Sequence, residues 1–110
     1  MKVLVFGYSD NPERFSYKAF HLLQDSGHQA IKFNPRTNQL NDVDQDIDTI
    51  TLYVSKAISD KFIDFFMSLK FRRMIINPGT ENITLEEQLK NKGIEVEHAC
   101  TLVLIKMGQF

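Results

Sequence analysis

The stretch KVLVFG, residues 2–7, decides how this chain folds, because Val3, Leu4, Val5 and Phe6 are four consecutive apolar residues. Such a run marks a strand buried on both faces, as at the centre of a parallel sheet, rather than a half-exposed strand that alternates. Residues 16–26 follow, with Ala19, Phe20 and Leu23 on one helical face, and Gly27 ends that helix. The pattern then recurs. Residues 29–33 read as a second strand and 49–54 as a third, and Ile58, Phe62, Phe65, Phe66 and Leu69 form one face of a second long helix. Residues 73–76 read as a fourth strand. Thr84, with Glu87 three positions later, predicts a capping box opening a helix that Gly93 closes. Residues 94–97 give a fifth strand, and the alternation predicts a last helix over residues 101–107.

The predicted class is α/β: a Rossmann-like, doubly wound, parallel five-stranded sheet, order 3-2-1-4-5, with right-handed crossovers and helices on both faces. Ligands of such sheets bind at the carboxyl ends of the strands, beside the point where the order reverses, which singles out the loops after strands one and four. The length of 110 residues, with 43% hydrophobic and 25% charged, predicts one globular domain over residues 1–110. A chain of this size buries roughly two thirds of its unfolded surface, enough for a core without staples. Cys100 is the only cysteine, so no internal disulfide forms. No charged, apolar, small-residue signal opens the chain, and a reducing cytoplasmic setting is expected. No apolar run approaches the roughly 20 residues that cross a bilayer. Thirteen Lys and Arg against fourteen Asp and Glu leave a net charge of −1, so no global positive field gathers nucleic acid or an anionic membrane. A local anion pocket stays open. There is no internal repeat, and residues 38–48 (NQLNDVDQDID) read as an exposed acidic loop.

The loop after the first strand, GYSDNPERFSY (residues 7–17), lacks the GxGxxG that brings a dinucleotide pyrophosphate to the backbone, which disfavours a standard NAD site. It still offers Gly7 for a tight turn, the Ser9 hydroxyl, the Asn11 amide, the forked Arg14 donor and a helix start near Ser16. A plain turn with Ser16 as a helix cap would explain the same residues. After strand two, where nicotinamide enzymes keep an acid for the ribose hydroxyls, the chain has Asn34, Pro35 and Arg36. A cation there suits a phosphorylated ribose, that of coenzyme A or NADP, although a solvated loop arginine is the commoner meaning.

Taken together these loops resemble the small CoA-binding proteins, whose single domain is similar to the CoA-binding domain of the succinyl-CoA synthetase α subunit. The residues carrying the resemblance are Gly7, Ser9, Asn11, Pro12, Arg14, Ser16 and Tyr17, then Asn34, Pro35 and Arg36, then Tyr53, Val54 and Ser55, then Asn77, Pro78, Gly79, Thr80, Glu81 and Asn82. It implies noncovalent binding of coenzyme A or an acyl-CoA, with the first loop and helix start at the pyrophosphate and Arg36 near the 3′-phosphate. Ser55 and Gly79 would line the rest of the groove. The chain departs from the relatives in a shorter 38–48 segment and in Ser55 and Lys56, where the synthetases favour prolines. A chain of this length has no second domain for the synthetases' phosphorylated histidine, so ligase activity is not implied.

His21, His28 and His98 show no metal-ligand spacing, and no metal is expected. His98 ends the fifth strand near Cys100, a pairing that can make a thiolate nucleophile, but a small buried thiol is the plainer reading of Cys100. Glu81 is the one carboxylate placed for acid or base work, with loop shaping as its alternative. The residues therefore favour a CoA-binding carrier, sensor or regulatory module over a catalyst. The alternatives are an NAD(P)-binding reductase and an interaction protein with a vestigial pocket, and a homodimer is left open.

Overall fold

The computed structural model describes residues 1–38, 43 and 46–110. Val3, Leu4, Val5 and Phe6 are wholly buried in β1 (Lys2–Phe6), with Leu4 and Phe6 on one face of the sheet and Val3 and Val5 on the other. β2 (Gln29–Phe33), β3 (Thr49–Leu52), β4 (Arg73–Ile76) and β5 (Glu95–His98) complete a sheet in which every pairing is parallel.

The sheet order is β2-β1-β3-β4-β5, which corrects the predicted 3-2-1-4-5. The reason lies in two strand sequences. β3 reads TITL, carries no charge and is buried throughout, so it belongs inside, whereas β2 reads QAIKF and exposes Gln29 and Lys32, as an edge strand can. The reversal point accordingly lies between β1 and β3, where Phe6 stands opposite Leu52, and the loop after β3 joins that after β1 as the expected ligand position.

Two layers of helix cover the sheet. α1 (Phe15–Asp25) and α5 (Thr101–Lys106) pack together on the face of Val3 and Val5, where Phe20, Leu23 and Ile105 close a smaller core. α2 (Lys56–Ser59), α3 (Ile63–Ser68) and α4 (Ile83–Asn91) lie on the other face, over Leu4, Phe6, Leu52, Met74 and Ile76. The long second helix expected from the sequence is broken into α2, a 3-10 turn at Asp60–Phe62 and α3. Asn82 pins the break by donating to Ser59 Oγ and Asp60 Oδ1, each at 2.8 Å. The tighter turn lets Phe62, Phe65 and Phe66 all reach the Phe6 ring, at centroid distances of 5.2, 6.2 and 4.8 Å.

The cap of α4 also differs from expectation. Asn82 Oδ1 accepts from Leu85 N at 3.2 Å and Glu86 Oε2 accepts from Asn82 N at 2.9 Å, so the reciprocal cap is Asn82 with Glu86, not Thr84 with Glu87. Asn82 is the stronger cap type and it is buried, whereas Thr84 and Glu87 are exposed. The predicted loop over residues 38–48 falls mostly outside the described residues. Within it Val43 and Ile47 are buried in the larger core, not exposed, because these are aliphatic side chains with an apolar sheet face to cover.

At the amino end of the sheet, away from the carboxyl-end loops, Asp48 accepts from Arg72 Nε and Nη2, each at 3.1 Å, and from Thr49 Oγ1 at 2.7 Å. The Arg72 guanidinium holds the Asp48 carboxyl below its ordinary value of 3.8. A depressed carboxylate stabilises the fold above its unfolded value and loses that contribution as pH falls through the folded one. Asp48→Asn is therefore expected to cost about 1 kcal/mol at neutral pH, a modest figure because both partners are partly exposed. In urea titrations its difference from wild type should shrink as pH falls from the ordinary carboxylate range through the lowered folded value.

Candidate ligand-binding cleft

Four loops meet at the carboxyl ends of the strands around an open cleft of about 510 Å³. Its floor depends on Gly7, which has φ +100° and passes so close to the loop after β3 that an added Cβ would lie 2.7 Å from Val54 Cγ1 and 2.8 Å from the Tyr53 carbonyl oxygen. Gly7 N and Tyr8 N both donate to the Phe33 carbonyl, at 2.7 and 3.0 Å, which ties this turn to the end of β2. Beyond it the loop is shaped by its own side chains. Ser9 N donates to Ser16 Oγ at 3.1 Å, Asn11 N to Ser9 Oγ at 3.1 Å and Glu13 N to Asn11 Oδ1 at 3.0 Å. Ser16 is thus spent on the loop, and Arg14, with extended backbone, holds the N-cap position of α1 without a side-chain cap bond. The first N–H groups of α1 are left for water or a ligand.

After β2, Asn34 N donates to Asn38 Oδ1 at 2.7 Å and Arg36 N to Asn34 Oδ1 at 2.8 Å, an Asx turn that presents Pro35 and Arg36 to the cleft. Arg14 and Arg36 are both exposed, and among the described residues neither makes an ion pair. After β3 the wall is Tyr53, Val54, Ser55 and Ile58, and after β4 it is Pro78, Gly79 and Thr80. The Glu81 carboxylate accepts from Gly79 N at 3.1 and 3.2 Å. Its own backbone N–H and that of Gly79 hold it below the usual carboxylate range, which suits a loop brace better than a proton donor.

Of the residues predicted for the site, Gly7, Ser9, Arg14, Ser16, Asn34, Pro35, Arg36, Val54, Ser55, Pro78 and Gly79 line this cleft. Asn11 and Pro12 form the exposed outer turn, and Tyr17 packs its ring near Tyr8 and His21, at 6.3 and 4.3 Å between centroids. Asn77 is only 3% exposed and spends its side chain internally, donating to Thr51 Oγ1 and the Leu52 carbonyl, each at 2.8 Å, and accepting from Thr101 N at 2.9 Å. Tyr8, Phe15 and Ile58 line the cleft without having been anticipated, because an apolar residue beside a strand or helix reads as core. The Tyr53 hydroxyl is buried beside Thr51 and Thr101, which bond one another at 2.7 Å, and has no aligned partner of its own among the described residues. Burial pushes that phenol up to about 12, so it stays protonated.

His98 gives Nε2 to the buried Glu86 carboxylate rather than to Cys100, which is half-buried at the start of α5. Among the described residues no group of three or more His, Cys, Asp or Glu side chains is placed to hold a metal ion, and no helix is long and apolar enough to cross a membrane.

A parallel sheet with its cleft at the reversal point is a doubly wound domain, and Arg14 and Arg36 stand on the rim of that cleft without ion pairs among the described residues. Residues 1–106 match the CoA binding domain family, and the chain belongs to that family. A crystal structure of an uncharacterized protein is 33% identical, covering 99% of this chain and 97% of that one with a TM-score of 0.88. The structure of cell-free ID.343 from Thermus thermophilus has the same fold at 18% identity, with a TM-score of 0.88 and coverage of 99% and 90%. A flavodoxin from the domain Archaea is similar in fold alone, at 12% identity and a TM-score of 0.68 over 99% of this chain and 94% of that one. No curated protein matches the chain.

Proposed function

We propose that the cleft binds coenzyme A or an acyl-CoA noncovalently and that the protein serves as a cytoplasmic carrier, sensor or regulatory module. The observation that carries this reading is the arrival of Arg14 and Arg36 at one cleft from separate loops, both without ion pairs among the described residues, beside the uncapped start of α1. Coenzyme A carries a pyrophosphate and a separate 3′-phosphate, which calls for two cationic positions. Arg14 and the α1 N–H groups serve the first and Arg36 the second. Ser55 and Gly79 flank the path of the pantetheine arm. Family membership supports the choice of ligand. Binding without chemistry fits the state of Glu81, the carboxylate singled out for acid or base work, which is already bonded to a backbone N–H.

Isothermal titration with coenzyme A, 3′-dephospho-CoA, NAD and NADP tests it. Coenzyme A is expected to bind about tenfold more tightly than its dephospho form, the worth of one charge-assisted contact, and Arg36→Ala should abolish that preference. Binding of NADP in place of coenzyme A would instead indicate a reductase. Failure of all four at millimolar concentration would point to an interaction protein.

A further inference from the structure

Phe15 is 66% exposed, while the other phenylalanines of the chain are buried or half-buried. It is the first residue of α1, it follows Arg14 directly, and it lines the same cleft as Arg36. The other rings at the cleft have no free face of this kind. Tyr8 is 5% exposed, with Lys32 Nζ 5.0 Å from its ring centre and Phe20 at 5.1 Å, and the Tyr53 hydroxyl points into the protein beside Thr51 and Thr101. Ile58 is aliphatic and half-buried. Lys18 Nζ lies 5.8 Å from the centre of the Phe15 ring, a cation–π contact that braces the ring at the rim and adds a third positive charge there.

An uncovered aromatic face flanked by cations that have no carboxylate partner among the described residues has the chemistry of a nucleotide site, since a base has a π-face and its phosphates sit a few bonds away. Resting on the coenzyme A reading above, we propose that Phe15 is the platform on which the adenine ring of the bound nucleotide stacks, making it a specificity residue for the nucleotide half of the ligand. An aromatic side chain kept in water by its place on a helix start gains a cover when the base docks, and the flexible pantetheine arm provides no such surface.

The chain contains no tryptophan, so Phe15→Trp places a single, selectively excitable indole at the rim. The experiment titrates wild type, Phe15→Ala and Phe15→Trp with coenzyme A, with adenosine 3′,5′-bisphosphate, and with 4′-phosphopantetheine, which lacks the adenosine. Phe15→Ala is expected to weaken coenzyme A and the bisphosphate on the order of tenfold and to leave phosphopantetheine unchanged. Phe15→Trp should retain affinity, and its emission should be quenched by the two adenine ligands only. Equal binding by wild type and Phe15→Ala, or a loss confined to phosphopantetheine, overturns the stacking role while coenzyme A binding stands. Wild type that binds no coenzyme A overturns both. Because the side chain is exposed, neither substitution disturbs the core, and unchanged thermal unfolding confirms that the variants are comparable.

Discussion

Asn77→Ala is expected to lower the unfolding free energy by about 3–5 kcal/mol, a large part of the roughly 5–15 kcal/mol that holds an ordinary domain together. The Asn77 side chain joins three elements at the carboxyl end of the sheet: Thr51 and Leu52 of β3, its own strand end, and the first residue of α5. Truncation strands the Thr101 N–H and the Leu52 carbonyl in the interior, and each unsatisfied buried group costs about 1–3 kcal/mol. Asn77→Asp separates the roles. It keeps an acceptor for Thr101 N but sets a carboxylate against the Leu52 carbonyl, so it should be no milder than alanine. Urea unfolding measures both, with the midpoint falling at an unchanged slope.

Gly7→Ala comes next, at about 2–4 kcal/mol. About 1–2 kcal/mol belongs to a side chain forced to positive φ, and the remainder to a methyl driven against the Tyr53 carbonyl and Val54. Gly27→Ala is the control, because Gly27 also has a positive φ, +89°, but nothing lies within 4 Å of the added carbon. It should show the backbone cost alone. The excess of the first over the second measures how closely the turn after β1 rests on the loop after β3. Gly7→Ala should also weaken the coenzyme A binding we propose, since Val54 is a wall of the cleft. A pair of variants with equal losses would mean that Val54 and Tyr53 yield without resistance.

The run Val3 to Phe6 announced a central strand, and the strand-and-helix alternation announced an α/β sheet, because both are local patterns written by burial. Neighbour choice among strands is not local. The placement of β2 at the edge, with β3 moved between β1 and β4, was nevertheless foreshadowed by Lys32, a charge that an interior strand would have to bury. The break between α2 and α3 escaped notice because its cause, the reach of Asn82 to Ser59 and Asp60, comes from a loop more than twenty residues away. At the cleft, the polar residues on the strand-end loops were readable as a group, yet Asn77 and Arg36 could not be told apart as pin and rim. That distinction depends on which backbone groups nearby still need a partner. Phe15 was hidden for the opposite reason, since a phenylalanine ahead of a helix is ordinarily core.

The interior position of β1 carries a consequence for the birth of the molecule. Within this domain the most apolar strand is made before the other four, and parallel pairing gives it no hairpin partner. Its second neighbour, β3, arrives only with residues 49–52, and the last wall of the cleft with residues 78–80. Until residues 49–52 have emerged, the nascent domain displays Val3 to Phe6 with an open edge, the condition in which unfinished chains stick to one another. A ligand held across all four loops cannot shelter that edge early, so it can stabilise only chains already extended past Thr80.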